Sequence, residues 1–338
     1  MAPESSLPGL DLDALAAWAS VHLPEQGTVQ SATLISGGLS NLTFRVVFEA
    51  SSLILRRPPR GPVLPSAHDM GREYRVLSGL QQSAVPVART AAFEPGPDVL
   101  GAPFYLVEDV VGEVYRRPEQ TAALAPDDRG AIGASVVEAL ARIHEVDLVE
   151  TGLSEFGPPT GYLQRQVRRW GRQWAASKTR DLPVMEELLT RLGTDLPTDS
   201  ETTLVHGDYR LDNMIIRGTD VAAVVDWELS TLGDPLADLA LTLLYWADDG
   251  SVSSAGGVTG HPGFPTADEF AAAYATRTGR ELDLLPLYRA FAEFKLAVIL
   301  EGVHARYLAG GTVGDGYAAA GRAVPMLAER ALAGLLDR

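Results

Sequence analysis

The chain has 338 residues, 46% of them hydrophobic, and a formal charge of −16 at pH 7. That length exceeds one compact core and implies two lobes, and the acidic balance argues against a nucleic-acid backbone as the main partner. Cysteine is absent, which excludes disulfides, thiolate metal sites and a cysteine nucleophile.

No apolar run approaches the ~18 residues of a membrane span. The start, Met1 to Ser6, lacks the basic-then-apolar order of a secretory signal. A cytoplasmic protein with no membrane partner is the expectation. The negative charge suits a cationic ligand, but solubility alone accounts for it equally well.

Asp11 to Leu23 carries apolar residues at helical spacing, with Asp11 placed as an N-cap. Three strand-like runs follow, Thr28 to Ile35, Leu42 to Phe48 and Leu53 to Arg57, and Pro58 and Pro59 stop the third. Ser36-Gly37-Gly38-Leu39-Ser40-Asn41 joins the first two. A helix is expected from Ser66 to Leu80, with Glu73 near its middle. Two more strands, Thr90 to Phe93 and Phe104 to Glu108, complete a five-stranded, mostly antiparallel sheet.

Asp109 to Gly112 forms the crossover, which places a first lobe at 1–110 and a second at 111–338. The second is mainly helical. Ala131 to Glu145 is periodic, and Leu163, Val167, Trp170 and Trp174 share one helical face and are expected to be buried. Short strands around Asn213 to Ile216 and Val221 to Val225 interrupt the helices. Further helices are read at Leu236–Trp246, Ala267–Thr276, Leu285–Leu308 and Gly316–Leu336, with a loop over Gly250–Pro265. His144 and His304 sit in helical patterns and read as structural.

The chemistry lies in His206-Gly207-Asp208-Tyr209-Arg210-Leu211-Asp212-Asn213 and in Val224-Val225-Asp226-Trp227-Glu228. Asp208, in a loop leaving a strand, can accept a hydrogen bond from a hydroxyl and aim it at a γ-phosphate. Asn213 offers a neutral oxygen and Asp226 a charged one to Mg²⁺, which prefers such hard ligands. His206 reads as an orienting residue. Singly, Asp208, Asp212 and Asn213 are also ordinary loop residues that bond local backbone. The ordered set of strand, loop and hairpin ending in aspartate is what points to phosphoryl transfer.

These motifs, with Asp234-Pro235-Leu236-Ala237-Asp238-Leu239-Ala240, resemble the aminoglycoside phosphotransferase and choline kinase group, which shares the protein-kinase-like fold. The resemblance runs from about Ile35 to Leu308. It is nearest to the branch fused in some animals to acyl-CoA dehydrogenases, through Gly37 to Asn41, Leu55 to Pro59, Ala67 to Tyr74 and Arg165 to Trp170. It implies an α+β, two-lobed fold with a small antiparallel-sheet lobe and a mainly helical one. It makes Asp208 the catalytic aspartate and Asn213 and Asp226 the metal ligands. Asp238 then either braces the catalytic loop or serves as a plain N-cap or helix-face residue. Glu228 joins it as a supporting residue.

In the wider kinase pattern the third strand supplies a lysine that grips phosphates and pairs with a helix glutamate. The only lysines here are Lys178 and Lys295. Arg56 stands in the matching place with Glu73 as its expected partner, and Arg57 takes that role if the register slips by one. The resembling branch carries arginine there, so activity is still expected. Ser36 to Asn41, including Gly37, Gly38, Ser40 and Asn41, either covers the phosphates through backbone N–H groups or is only a hairpin turn. Backbone groups of Glu108 and Val110 are implied at the adenine edge.

Arg165, Arg168, Arg169, Arg172, Lys178 and Arg180 lie within sixteen residues. They form either a solvated face or a docking surface for an anionic substrate such as an acyl-CoA. Tyr245 and Trp246 either wall the acceptor site or belong to the core. Asp248, Asp249, Asp268 and Glu301 either line a pocket for a cationic acceptor or lie on the surface.

The expected activity is transfer of a γ-phosphate from ATP, GTP being also compatible, to a hydroxyl of a small molecule with Mg²⁺ present. The resemblance suggests a hydroxyacyl-CoA or hydroxy acid, and the alternatives are an aminoglycoside or a non-catalytic nucleotide-binding module. The protein is expected to be a monomer or homodimer.

Overall fold

The computed structural model describes residues 7–36, 41–59, 69–197, 200–246, 256–310 and 317–336. The chain divides into two compact units, one of Met1–Gly112 with Ala222–Glu228, the other of Glu113–Val221 with Leu229–Arg338.

The first unit begins with α1 (Leu12–His22), capped by Asp11, whose carboxylate accepts the Ala14 N–H at 3.0 Å. The strands are β1 (Val29–Ser36), β2 (Leu42–Phe48), β3 (Ser52–Arg57), β4 (Thr90–Glu94) and β5 (Phe104–Glu108), with α2 (Met70–Leu80) inserted between β3 and β4. Their order is β1-β2-β3-β5-β4. Every pairing is antiparallel, where the sequence suggested only mostly so.

Side-chain alternation along the strands sorts the residues. Phe44, Val46, Leu55, Phe104 and Leu106 turn to one face and pack with Leu15 and Trp18 of α1. Arg56 and Tyr105, directly opposed across β3 and β5, share the other face. Helix α2 starts at Met70 because Asp69 caps it through the Arg72 N–H, at 3.0 Å. The expected start at Ser66 lies outside the described residues. Val224 N–H donates to the Pro86 carbonyl at 2.8 Å, tying Ala222–Glu228 to this unit.

From residue 113 onward the chain forms α3 (Pro118–Ala122), α4 (Pro126–His144), α5 (Tyr162–Ser177), α6 (Pro183–Asp195), β6 (Thr203–Val205), β7 (Met214–Arg217), β8 (Asp220–Val224), β9 (Thr231–Gly233), α7 (Pro235–Trp246), α8 (Ala267–Thr278), α9 (Leu285–Leu308) and α10 (Tyr317–Leu336). The unit boundary falls inside β8, after Val221. Strand β6 pairs antiparallel with β9. Helix α9 packs on α5, α6, α7 and α10 and is buried on most sides. Among the described residues no helix is long and apolar enough to cross a membrane.

Two burial expectations need correction. Leu163, Val167 and Trp174 of α5 are buried, but Trp170 is only half-buried, with Arg169 and Lys295 beside its ring. Glu301 is not a surface residue. It is fully buried, bonded to the Thr179 backbone and hydroxyl at 2.7 and 2.8 Å and to Arg180 at 2.9 Å. Asp268 does lie exposed, paired with Arg289 at 2.8 Å, and Asp248 and Asp249 fall outside the described residues.

Candidate active site

In the second unit, the loop from His206 to Asn213 leaves β6 under tight control. Gly207 has φ 84°, and a Cβ there would meet the Leu229 carbonyl oxygen at 2.7 Å, so glycine is required. Asp238, in the first turn of α7, accepts the backbone N–H groups of His206 at 2.7 Å and Gly207 at 2.9 Å. His144 Nε2 lies 3.3 Å from the same carboxylate, and its Nδ1 meets the Tyr274 hydroxyl at 2.7 Å. Burial opposes charge on Asp238. The His144 hydrogen bond, the histidine charges and the loop N–H groups outweigh it and hold the carboxyl below its ordinary range.

Asp208 N–H points to His206 Nδ1 at 3.3 Å, and the His206 ring is fully buried. The Asn213 side-chain amide donates to the Asp208 carbonyl at 2.9 Å and to its carboxylate at 3.0 Å. Spending the NH₂ group this way leaves the Asn213 side-chain oxygen for another partner. Burial pushes the Asp208 carboxyl up, against the pull of Arg210, His206 and Lys295.

Arg210 is ion-paired with Asp212 and stands over the Tyr245 ring, 4.9 Å from its centroid. Tyr245 is half-buried and Trp246 buried, and both line a concavity with Tyr115, Arg210 and Asp212.

The α5 cations separate by role. Arg165 donates to the carbonyls of Pro158 and Thr160, so it caps its own loop. Arg168 returns to the Gln164 carbonyl, Lys178 pairs with Glu186, and Arg180 with Glu301. Arg169 lies over the Trp170 ring at 5.2 Å.

Sequence reasoning missed Lys295. Its Nζ lies 3.5 Å from the Gly207 carbonyl oxygen and 5.7 Å from the centre of the Trp170 ring. The available signal was a lone lysine between Phe294 and Leu296 in an otherwise apolar stretch.

In the first unit, Arg56 lies 3.6 Å from Glu73 and donates to Asp226 at 3.0 Å. Glu73 is buried and accepts the Tyr105 hydroxyl at 2.8 Å and the Asn41 amide at 2.9 Å. Asn41 also reaches Glu228, at 3.3 Å. Burial raises the Glu73 carboxyl, against Arg56 and these hydrogen bonds. Burial likewise disfavours the Arg56 charge, but Tyr105, Glu73 and Asp226 hold the guanidinium protonated. Arg56 Nε is buried with no hydrogen-bond partner.

Arg57 faces the other side of the sheet and spends its donors on the carbonyls of Gly9, Leu100 and Pro58. Asp226 has φ 67°, the one positive value among described non-glycine residues, a backbone strain of the kind that persists at functional positions.

Glu108 ends β5, with its N–H committed to the Arg89 carbonyl at 2.8 Å, and Val110 follows in the link. Gly37, Gly38 and Ser40 lie outside the described residues.

Each unit by itself supplies one hard oxygen donor of the kind Mg²⁺ accepts. Asn213 keeps an amide oxygen, and Asp226 keeps the carboxylate oxygen that Arg56 does not take. Among the described residues no cluster of three or more His, Cys, Asp or Glu forms a metal site by itself.

Comparison with known proteins adds the family. The chain is 40% identical to mouse acyl-CoA dehydrogenase family member 10 over 280 residues, 81% of this chain and 26% of that protein. It is 36% identical to rat acyl-CoA dehydrogenase family member 11 over 334 residues, 95% of this chain and 43% of that protein. The chain thus spans less than half of either relative. A solved structure from Ralstonia eutropha, provisionally named an aminoglycoside phosphotransferase, aligns with TM-score 0.85 and 32% identity, covering 97% of this chain and 98% of that one.

Aminoglycoside phosphotransferase APH(4)-Ia, solved with AMP-PNP and hygromycin B, shares the fold at TM-score 0.60 and 14% identity, covering 96% and 98%. The fold is therefore of the α+β, protein-kinase-like class, with a small antiparallel sheet and a largely helical remainder. The model of the phosphotransferase enzyme family matches residues 31–294. That span takes in Arg56, Glu73, Asp208, Asn213, Asp226 and Asp238, and the chain belongs to the phosphotransferase enzyme family.

Proposed function

We propose that the protein transfers the γ-phosphate of ATP, with Mg²⁺, to a hydroxyl of a small molecule, and that the acceptor is a hydroxyacyl-CoA or hydroxy acid. The observation that carries this reading is the fixed Asp208 carboxylate, pinned through Asn213 and through a loop whose N–H groups end on Asp238. A carboxylate so held accepts the acceptor's O–H and aims its oxygen along the line of attack. In a loose transition state that positioning matters more than strong base catalysis. Burial raises the basicity of Asp208, which helps it take the proton as the new O–P bond forms.

Arg56 is assigned to the donor phosphates. Its unpartnered Nε supports that role, and Glu73, itself held by Tyr105 and Asn41, fixes the guanidinium. Asn213 and Asp226 would hold the Mg²⁺, which supplies charge neutralisation at the phosphates when bound. The first unit, near 1–110 with the Asp226 segment, is assigned to nucleotide and the remainder to acceptor.

The acyl side of the proposal is supported by the two acyl-CoA dehydrogenase relatives. A second reading, phosphorylation of an aminoglycoside, draws on the names of the two solved structures.

ADP release across hydroxy acids, hydroxyacyl-CoAs and aminoglycosides tests both. Turnover is expected with an acyl-bearing acceptor, and Asp208→Asn should cut kcat by about 10²-fold or more while leaving ATP binding intact. Wild-type turnover by that variant would overturn the role of Asp208. Binding of Mg·ATP without turnover on any acceptor would leave a nucleotide-binding module instead.

A further inference from the structure

We propose that Lys295, with Trp170 and Arg169, is the specificity element of the acceptor site: it takes the acyl oxygen, carboxylate or thioester carbonyl, of the molecule whose hydroxyl Asp208 orients. The proposal rests on the phosphotransferase reading for the identity of that hydroxyl.

The first argument is position. Lys295 Nζ sits 3.5 Å from the carbonyl of Gly207, the residue immediately before Asp208. Its charge is also felt at the Asp208 carboxyl. A molecule that presents a hydroxyl to Asp208 thus approaches the loop whose Gly207 carbonyl Lys295 contacts.

The second argument is unspent capacity. An ammonium has three donors, and Lys295 makes one long contact with a carbonyl and lies beside one aromatic ring. No carboxylate among the described residues forms an ion pair with it. The side chain is half-buried, so its remaining N–H groups are neither solvated in full nor satisfied by protein. Burial pulls its pKa down, with Asp238 and Asp208 acting against that pull. A ligand oxygen would relieve the cost of desolvation.

The third argument is the surrounding charge. Arg169 and Lys295 lie 5.2 and 5.7 Å from the centroid of the same Trp170 ring. Two cations about one indole favour an anion or a carbonyl oxygen as the ligand beside them. A polycationic aminoglycoside brought to Asp208 would meet both charges, and like-charge repulsion would weaken its binding. The same element thus selects for one acceptor class and against the other.

Binding to the Asp208→Asn chain, which is expected to block turnover, provides the test. Calorimetry would use four probes: 3-hydroxybutyrate, 3-hydroxybutyryl-CoA, 1,3-butanediol and kanamycin. One or both acyl probes should bind more tightly than the diol, and which of the two prevails separates free acid from thioester. Adding Lys295→Met should weaken the acyl probes by about tenfold, the usual scale for a lost charged hydrogen bond. The same change should leave the diol unaltered, and Lys295→Arg should recover most of the loss.

Equal affinities with and without Lys295 would overturn the proposal, and so would the absence of acyl-probe binding. In wild-type background, a fall in kcat of the same factor on every acceptor, with binding unchanged, would also overturn it by moving Lys295 to the phosphoryl group. Acyl binding that depends on Lys295 but yields no ADP release in the wild type would instead refute the phosphotransferase reading and leave standing only the acyl-oxygen contact of Lys295.

Discussion

At the scale of single residues, Arg56 shows how alternation along a strand assigns chemistry. Arg56 and Arg57 are equivalent in composition, yet the pleat sends one to Glu73 and Asp226 and the other to the carbonyls of Gly9 and Leu100. The sequence placed an arginine there with Glu73 opposite but left the register open. Only the pairing of Arg56 with Tyr105 across the strands decides it.

Arginine in this position holds two carboxylates with a planar fork, which a lysine cannot reproduce. Arg56→Lys is therefore expected to raise the KM for ATP by about tenfold, with kcat falling less, and Arg56→Met should be worse on both counts. Steady-state kinetics at saturating acceptor would show it, and an unchanged KM in both variants would remove Arg56 from the phosphate site. Lys295 was illegible for a different reason. Its meaning depends on helix α9 passing beside the Gly207 carbonyl, a long-range contact with no local signature.

At the scale of elements, the long periodic helices and the strands with clean alternation were readable, including Leu42–Phe48, Phe104–Glu108 and Leu285–Leu308 at their observed bounds. Helix α6 was not, although Met185, Leu188 and Leu192 are its buried stripe. Its polar positions blend with the flanking loops. Strands β6 and β9, at three residues each, are too short to show a period and exist because they pair with one another.

The element that matters most for chemistry is the brace from α7 to the loop. Asp238 is charged in the fold with a lowered pKa, so ionisation favours the folded state. That contribution is complete above the unfolded value near pH 4 and is lost as pH falls through the lower folded value. Asp238→Asn should cost about 3 kcal/mol at pH 7. The gap to wild type should narrow only below about pH 4, as read by urea unfolding at a series of pH values. A constant gap down to pH 3 would show that the carboxylate's charge is not what holds the loop.

At the scale of the whole molecule, the acidic composition, the absence of cysteine and the length suggested class and lobe number but not substrate. Ligand linkage gives the global test. Mg·ATP at a hundred times its Kd should stabilise the chain by about 2.7 kcal/mol, seen as a higher melting temperature. Asp226→Asn should shrink the shift, and excess EDTA should do the same to wild type. A shift unaffected by chelation would argue against metal-assisted nucleotide binding.

The first unit is not a continuous piece of chain. Met1–Gly112 carries Arg56, Glu73, Asn41 and Tyr105, but their partners Asp226 and Glu228 come from a segment more than a hundred residues later. A gene crossover that exchanged only the first 112 codons between two homologues would transplant the guanidinium and leave its carboxylate behind. Inheritance of this site is thus coupled across two separated stretches of DNA, and a chimera would stay functional only if both parents had kept the same pairing on either side of the junction.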